Sequence, residues 1–346
     1  MKVLALIKPD DSFYLFGMGN RRKFIYKQGK LIDLLTKEIQ YKWDVIEERI
    51  AAEDYQVTLY CRENQVVTIF EDEQGLWLDG GANKECLAAS TIRLPDFKEY
   101  SRSALLRILH HELLVNVVEG EPVPNLFVYN KPWYRDAAMM AMCFKTTNNL
   151  HLIKDWILAL NQPYDRNNSG VSEPDNLGQA LYLISLVSDQ NHPLVDVLLS
   201  EAEKCRKKHY ILGQSDFAEH PVYQTKWLKF GLKHLNLPDT FEIPQIYDSY
   251  SSIFWMDYCD QHVIGPGFDQ QTRQLYPYLA WAESHFHNWT MSQEFFSSTY
   301  PLTWEWKASE AYYPGIEIVA KSYADNRFAA PHTWHAAEMF LYLLNI

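Results

Sequence analysis

The chain has 346 residues, enough for one large domain or one domain with a modest appendage. At 47% hydrophobic and 22% charged it reads as a folded globular protein, and not as a disordered or fibrous one. Thirty-two Lys and Arg stand against 44 Asp and Glu, so a formal charge of −12 argues against nucleic acid or an anionic membrane surface as the main partner.

Along the chain, Met1-Lys2 is followed by only five apolar residues before Lys8-Pro9-Asp10-Asp11. This is shorter than the roughly 7–15 of a secretory core, and no stretch approaches the roughly 18 apolar residues of a membrane span. A cytoplasmic location with no membrane partner is expected. Residues 1–100 read as a β-rich N-terminal segment. Phe16-Gly17-Met18-Gly19-Asn20 reads as a hairpin turn, and Val57–Tyr60, Val66–Phe70 and Gly75–Asp79 as strands. Leu31 to Ile50 fits either one amphipathic helix or two strands.

Residues 101–346 change texture. Leu105, Leu106, Leu109, Leu113 and Leu114 recur at helical spacing. Helical segments follow at 137–144, 150–160, 177–187, 194–205, 223–235, 275–286, 315–322 and 333–344, separated by Pro-, Gly- and Asn-rich stops. Packed helical hairpins are the expectation. Nine of the eleven Trp lie after residue 130. His220, Tyr223, Gln224 and Trp227 fall on one helical stripe, as do Tyr278, Trp281, His285 and Asn288. Aromatic planes mixed with hydrogen-bonding groups suit the wall of a wet cavity. The five cysteines are scattered without a CxxC pair, so neither a disulfide framework nor a zinc site is expected, and Cys143 reads as a buried thiol. His110-His111-Glu112 lacks the spacing of a metal motif and reads as a helix face. No metal or organic cofactor is implied.

The chemistry-bearing stretch is Trp133-Tyr134-Arg135-Asp136-Ala137, a charged pair directly before an apolar helix. A bidentate Arg beside an acceptor-only Asp can clamp vicinal hydroxyls, with Trp133 offering a stacking face. The plainer alternative makes Asp136 a helix cap and Arg135 a solvated neighbour. Trp-x-Arg-Asp-Ala resembles the sugar-binding signature of the (α/α)6-barrel, or six-hairpin, glycosidases, among them glucoamylases, trehalases and α-L-rhamnosidases. Thr303-Trp304-Glu305-Trp306 is similar to a catalytic loop of the rhamnosidase branch, one residue shorter, and Pro331-His332-Thr333-Trp334-His335-Ala336-Ala337 resembles the start of the last barrel helix.

That resemblance implies a mainly α fold, an (α/α) barrel or six-hairpin toroid from residue 101, although the helical segments after residue 100 fall short of the twelve it needs. It also implies a glycoside hydrolase acting on a carbohydrate substrate by inversion, with Arg135 and Asp136 holding sugar hydroxyls and Glu305 as a catalytic carboxylate. Trp133, Trp304, His332, His335 and the His220, Tyr223, Gln224 and Trp227 stripe would shape the sugar site. Two carboxylates are needed, one to protonate the leaving oxygen and one to activate water. The second falls in the polar loop ending Ser172-Glu173-Pro174-Asp175. There Asp175 fits a helix cap, while Glu173, nearer the loop, is preferred as acid. Glu310, Asp216, Glu219 and Asp257 are further acidic candidates. Two readings stand beside this one. One is a sugar epimerase, isomerase or polysaccharide lyase working through His220, His285, His287, His332 and His335. The other is a carbohydrate-binding barrel without catalysis.

Overall fold

A computed structural model describes residues 12–248, 263, 300, 314–319, 321 and 332–345. The chain divides into two compact units. The first comprises Met1–Asn130, Cys143–Leu152 and Gln293–Ile346; the second comprises Lys131–Met142 and Ile153–Ser292.

The first unit opens with two antiparallel meanders. Strands β1 (Phe13–Phe16), β2 (Phe24–Lys27), β3 (Lys30–Asp33) and β4 (Ile39–Lys42) form a four-stranded sheet. Strands β5 (Val45–Ala51), β6 (Gln56–Cys61), β7 (Val66–Glu71), β8 (Gly75–Asp79) and β9 (Lys84–Ala89) form a five-stranded one. The ambiguous 31–50 stretch is therefore strand throughout its regular parts. Alternation is clearest along β6 and β7, where Val57, Leu59, Val67 and Ile69 point inward while Thr58, Tyr60 and Thr68 point out. The inward sides of both sheets share one core of Tyr14, Phe16, Phe24, Tyr26, Leu31, Val57, Ile69 and Leu76, with Ile108 added from helix α1 (Ser103–Leu114). Within this core Glu71 accepts from the Gly17 and Met18 N–H groups, both at 2.9 Å, and from Arg21 Nη1 at 3.0 Å.

His110, His111 and Glu112 lie buried on α1. His111 stacks on Tyr14 and takes the Leu15 carbonyl at 3.0 Å, while His110 meets Asn149 at 3.3 Å. A second helix of this unit, spanning Thr333–Leu343, packs against α1. A short hairpin, β10 (Val117–Val118) with β11 (Glu121–Pro122), follows α1.

In the second unit, helix α2 (Tyr134–Thr146) contributes its first nine residues. Then come α3 (Lys154–Leu158), α4 (Asp175–Ser185) and α5 (Leu194–Lys204). Two small hairpins follow, β12 (Arg206–Lys207) with β13 (Tyr210–Ile211) and β14 (Gln214–Ser215) with β15 (Ala218–Glu219), before α6 (Pro221–His234). Among the described residues of this unit, helices α4 and α6 pack most closely, and glycine makes that possible. A Cβ on Gly178 would stand 2.1 Å from the main-chain carbon of Trp227, and one on Gly231 would stand 2.6 Å from the Gly178 carbonyl. Numbered in chain order, Thr333–Leu343 is α7.

The expected mainly α six-hairpin toroid is not what the chain forms. The described residues are mixed, with seven α-helices and five antiparallel sheets. Helices lie in the expected segments at 137–144, 177–187, 194–205, 223–235 and 333–344. In contrast, 150–160 holds a 3-10 turn and a five-residue helix, Pro314–Ile318 is a 3-10 turn, and 275–286 lies outside the described residues. What that reading overlooked are the two-residue strands at 117–122 and 206–219, too short to leave a periodic signature, which replace helix-to-helix turns with hairpins. Among the described residues no helix is long and apolar enough to cross a membrane.

Candidate active site

Four segments of the second unit converge on one buried polar cluster: the start of α2, the 162–174 loop with the first turn of α4, the β14–β15 hairpin, and the first half of α6. The N–H of Tyr134 at the start of α2 is taken by Asp165 at 2.7 Å, so Asp136 is not needed as a cap there and lies fully buried. Arg135 is buried beside it, with Nε 4.0 Å from the Asp136 carboxylate and its guanidinium 5.4 Å from the centre of the Trp133 ring. Its Nη1 donates to Asp216 Oδ2 at 3.1 Å. The plainer alternative of a solvated Arg135 is therefore excluded.

Glu173 is 3% exposed. Its Oε1 accepts from the Asp216 N–H at 2.6 Å and from Asn168 Nδ2 at 3.2 Å, and no described residue donates to its Oε2. A proton on this carboxyl therefore belongs on Oε2, the oxygen left to serve a ligand. Burial, and after it the charge of Asp175, push Glu173 from the usual 4.5 up to about 7, against the lowering effect of Asp216 N–H, Asn168 and Arg135.

Asp175 is fully buried as the first residue of α4, and the helix carries no side-chain cap. The expected capping role does not hold. Its Oδ1 instead accepts from the Ser215 hydroxyl, and its Oδ2 accepts from Gln179 Nε2 at 2.8 Å. Burial raises its carboxyl too, opposed by Ser215, Arg135 and Gln179. Burial likewise lifts Asp165 from 3.8 to about 6.

The α6 stripe is the far wall of this cluster. Gln224 donates to Ser215 Oγ and to the Gly213 carbonyl, both at 2.9 Å, and Tyr223 receives Gln179 Nε2 at 3.3 Å. Tyr223, Gln224 and Trp227 are all buried, so they brace the acids and do not line an open wet cavity. His220 is partly buried and pairs through Nδ1 with Asp248 at 2.9 Å; Asp248 also accepts from the Val222 and Tyr223 N–H groups at 3.2 and 3.1 Å.

Of the residues expected from sequence, the structure thus gathers Trp133, Arg135, Asp136, Glu173, Asp175, Tyr223 and Gln224, with Trp227 and His220 flanking. His332 and His335 belong to the first unit, at the start of α7, where His332 packs on Tyr129 and His335 on Trp334. Trp304, Glu305, Glu310, Asp257 and the Tyr278, Trp281, His285 and Asn288 stripe lie outside the described residues. Asp165, Asn168, Ser215 and Gln179 escaped the sequence reading. Single polar residues in loops carry no periodic signal, and only the density of Asn and Asp across 165–176 hinted at them.

No family model, curated protein or solved structure matches this chain. The resemblance to six-hairpin glycosidases, and the hydrolase class that came with it, consequently finds no support among known proteins. Of the three motifs behind it, Arg135 and Asp136 serve a local charge cluster, His332 precedes an ordinary helix, and Thr303-Trp304-Glu305-Trp306 lies outside the described residues.

Proposed function

We propose, from the cluster itself, that the second unit carries out acid–base chemistry on a carbohydrate, with hydrolysis of a glycosidic bond as the reaction. The observation that carries this reading is the unequal pair of carboxyls joined by Asn168. Glu173 is buried and holds its proton up to about neutral pH, as a general acid must. Asp216 has a side chain 36% exposed and accepts one charge-assisted bond from Arg135 Nη1 at 3.1 Å and a further bond from Asn168. One group can give a proton to a leaving oxygen while the other supports the positive charge developing on the sugar ring. Trp133, partly buried against Arg135, offers a face for the ring.

Asn168 Nδ2 bonds Glu173 Oε1 at 3.2 Å and Asp216 Oδ1 at 3.1 Å, which keeps those oxygens within about 6 Å of each other, below the roughly 6.5–9.5 Å of inverting enzymes. The inversion expected from sequence followed from the glycosidase resemblance and used Glu305, which lies outside the described residues. The test is a screen of the full chain against aryl glycosides and natural oligosaccharides, with the product anomer followed by NMR. Cleavage that is lost in Glu173→Gln and in Asp216→Asn supports the assignment; cleavage that survives both variants removes these residues from the chemistry, and no cleavage of any glycoside overturns the reading.

A further inference from the structure

The β14–β15 hairpin is the smallest element at the site and the most constrained. Its register pairs Ser215 with Ala218, which leaves a two-residue loop of Asp216 and Phe217. Both have positive φ, +47° and +67°. Two-residue hairpin loops adopt this geometry readily when the second position is glycine; a bulky aromatic there is strained. Phe217 is also 68% exposed, so burial returns nothing for that strain. The hairpin nevertheless cannot relax, because its neighbours are pinned on every side. The Asp216 N–H goes to Glu173 and its carboxylate to Arg135 and Asn168, while Ser215 is held by Asp175 and Gln224. A strained, exposed aromatic fixed one residue from the carboxyl pair calls for a use in binding.

We propose that Phe217 is an aromatic platform that stacks on the ring of the leaving group, so that this hairpin determines which aglycone or neighbouring sugar the site accepts. The inference rests on the carbohydrate reading above and assigns it a specificity-determining residue. Saturated sugar rings present a face of C–H bonds, and aryl aglycones a π-face; both stack on Phe. Asp216 and Phe217 are adjacent along the chain, so the ring is carried by the same two-residue loop as one member of the carboxyl pair.

Two variants separate the roles of ring and turn. Phe217→Asn removes the ring at a position whose backbone asparagine tolerates; Phe217→Tyr keeps the ring. The probes are a panel of 4-nitrophenyl glycosides, with binding to the full chain read by saturation-transfer NMR and by titration. Stacking contributes enough that binding should weaken about three- to tenfold in Phe217→Asn and be retained in Phe217→Tyr, with saturation strongest at the aryl protons of the wild-type complex. Equal binding by wild type and Phe217→Asn, or no binding of any probe to the wild type, overturns the proposal. Turnover is scored separately. Binding that follows Phe217 without any product defeats the hydrolase reading and leaves the platform standing. Cleavage with kcat/KM unchanged in Phe217→Asn does the reverse.

Discussion

Asp216 donates its backbone N–H to Oε1 of Glu173 at 2.6 Å, while its own carboxylate is turned to Arg135. One residue thus holds Glu173 in place with its main chain and turns its own carboxylate to a guanidinium. The two acids have different surroundings: one is buried beside Asp175, the other partly exposed beside Arg135.

A general acid must be protonated to act. With Glu173 raised to about 7, kcat/KM of a glycoside that the chain cleaves should hold to about pH 7 and fall tenfold per unit above it. Glu173→Gln should lower the rate by about 10²- to 10⁴-fold for substrates with poor leaving groups and far less for activated aryl glycosides. A variant profile with the same alkaline limb as wild type would assign that limb to another residue.

Stability should carry the same signature. A carboxyl raised from 4.5 when unfolded to about 7 when folded binds more protons in the native state between those values, so its contribution is complete below about pH 4.5 and is lost as pH rises through 7. Asp165, raised to about 6, adds to the trend. Glu173→Gln removes the penalty of a buried charge. Thermal unfolding curves of wild type and variant should therefore coincide near pH 4 and separate progressively by pH 8, the variant being more stable there by about 1–3 kcal/mol. Curves that stay parallel from pH 5 to 8 would contradict this.

The α4–α6 contact leaves no room for a methyl group. Gly178→Ala places a Cβ against the main chain of Trp227, which cannot move without shifting the helix, so a loss of about 3 kcal/mol or more is expected. Urea titration by circular dichroism measures it. Near-native stability would mean that the helices can part.

In the first unit, Arg21 and Glu71 form a buried ion pair at 3.0 Å that also secures the β1–β2 loop through the Gly17 and Met18 N–H groups. Glu71→Gln leaves the Arg21 charge uncompensated and should cost about 3–5 kcal/mol. The double variant Arg21→Met with Glu71→Met should recover part of that loss in the same calorimetric scan. A double variant no better than the single one would show that the loop contacts, and not the charges, dominate.

Much of this was legible in the residues. Leu105 to Leu114 gave α1, and alternation in Val57–Tyr60 and Val66–Phe70 gave two strands of the larger sheet. The Trp133-Tyr134-Arg135-Asp136 stretch and the Glu173-Pro174-Asp175 turn, singled out in the sequence, lie together in one buried polar cluster. Global arrangement was not legible. Helical segments in succession look alike whether they close a ring or alternate with hairpins, because the choice is made by pairs such as Ser215 and Ala218 that bond across only two residues. Nor could sequence separate Asp175 the cap from Asp175 the buried neighbour. That depends on Ser215, forty positions away, donating its hydroxyl.

The meeting of Gly178 with the Trp227 backbone has a wider meaning. Asp175 and Gln179 lie on one of these helices and Tyr223 and Gln224 on the other, so the bonds from Gln179 to Tyr223 and from Gln224 to Ser215 start from two backbones in direct contact. Because the closest approach is main chain to main chain, its length does not depend on side-chain rotamers.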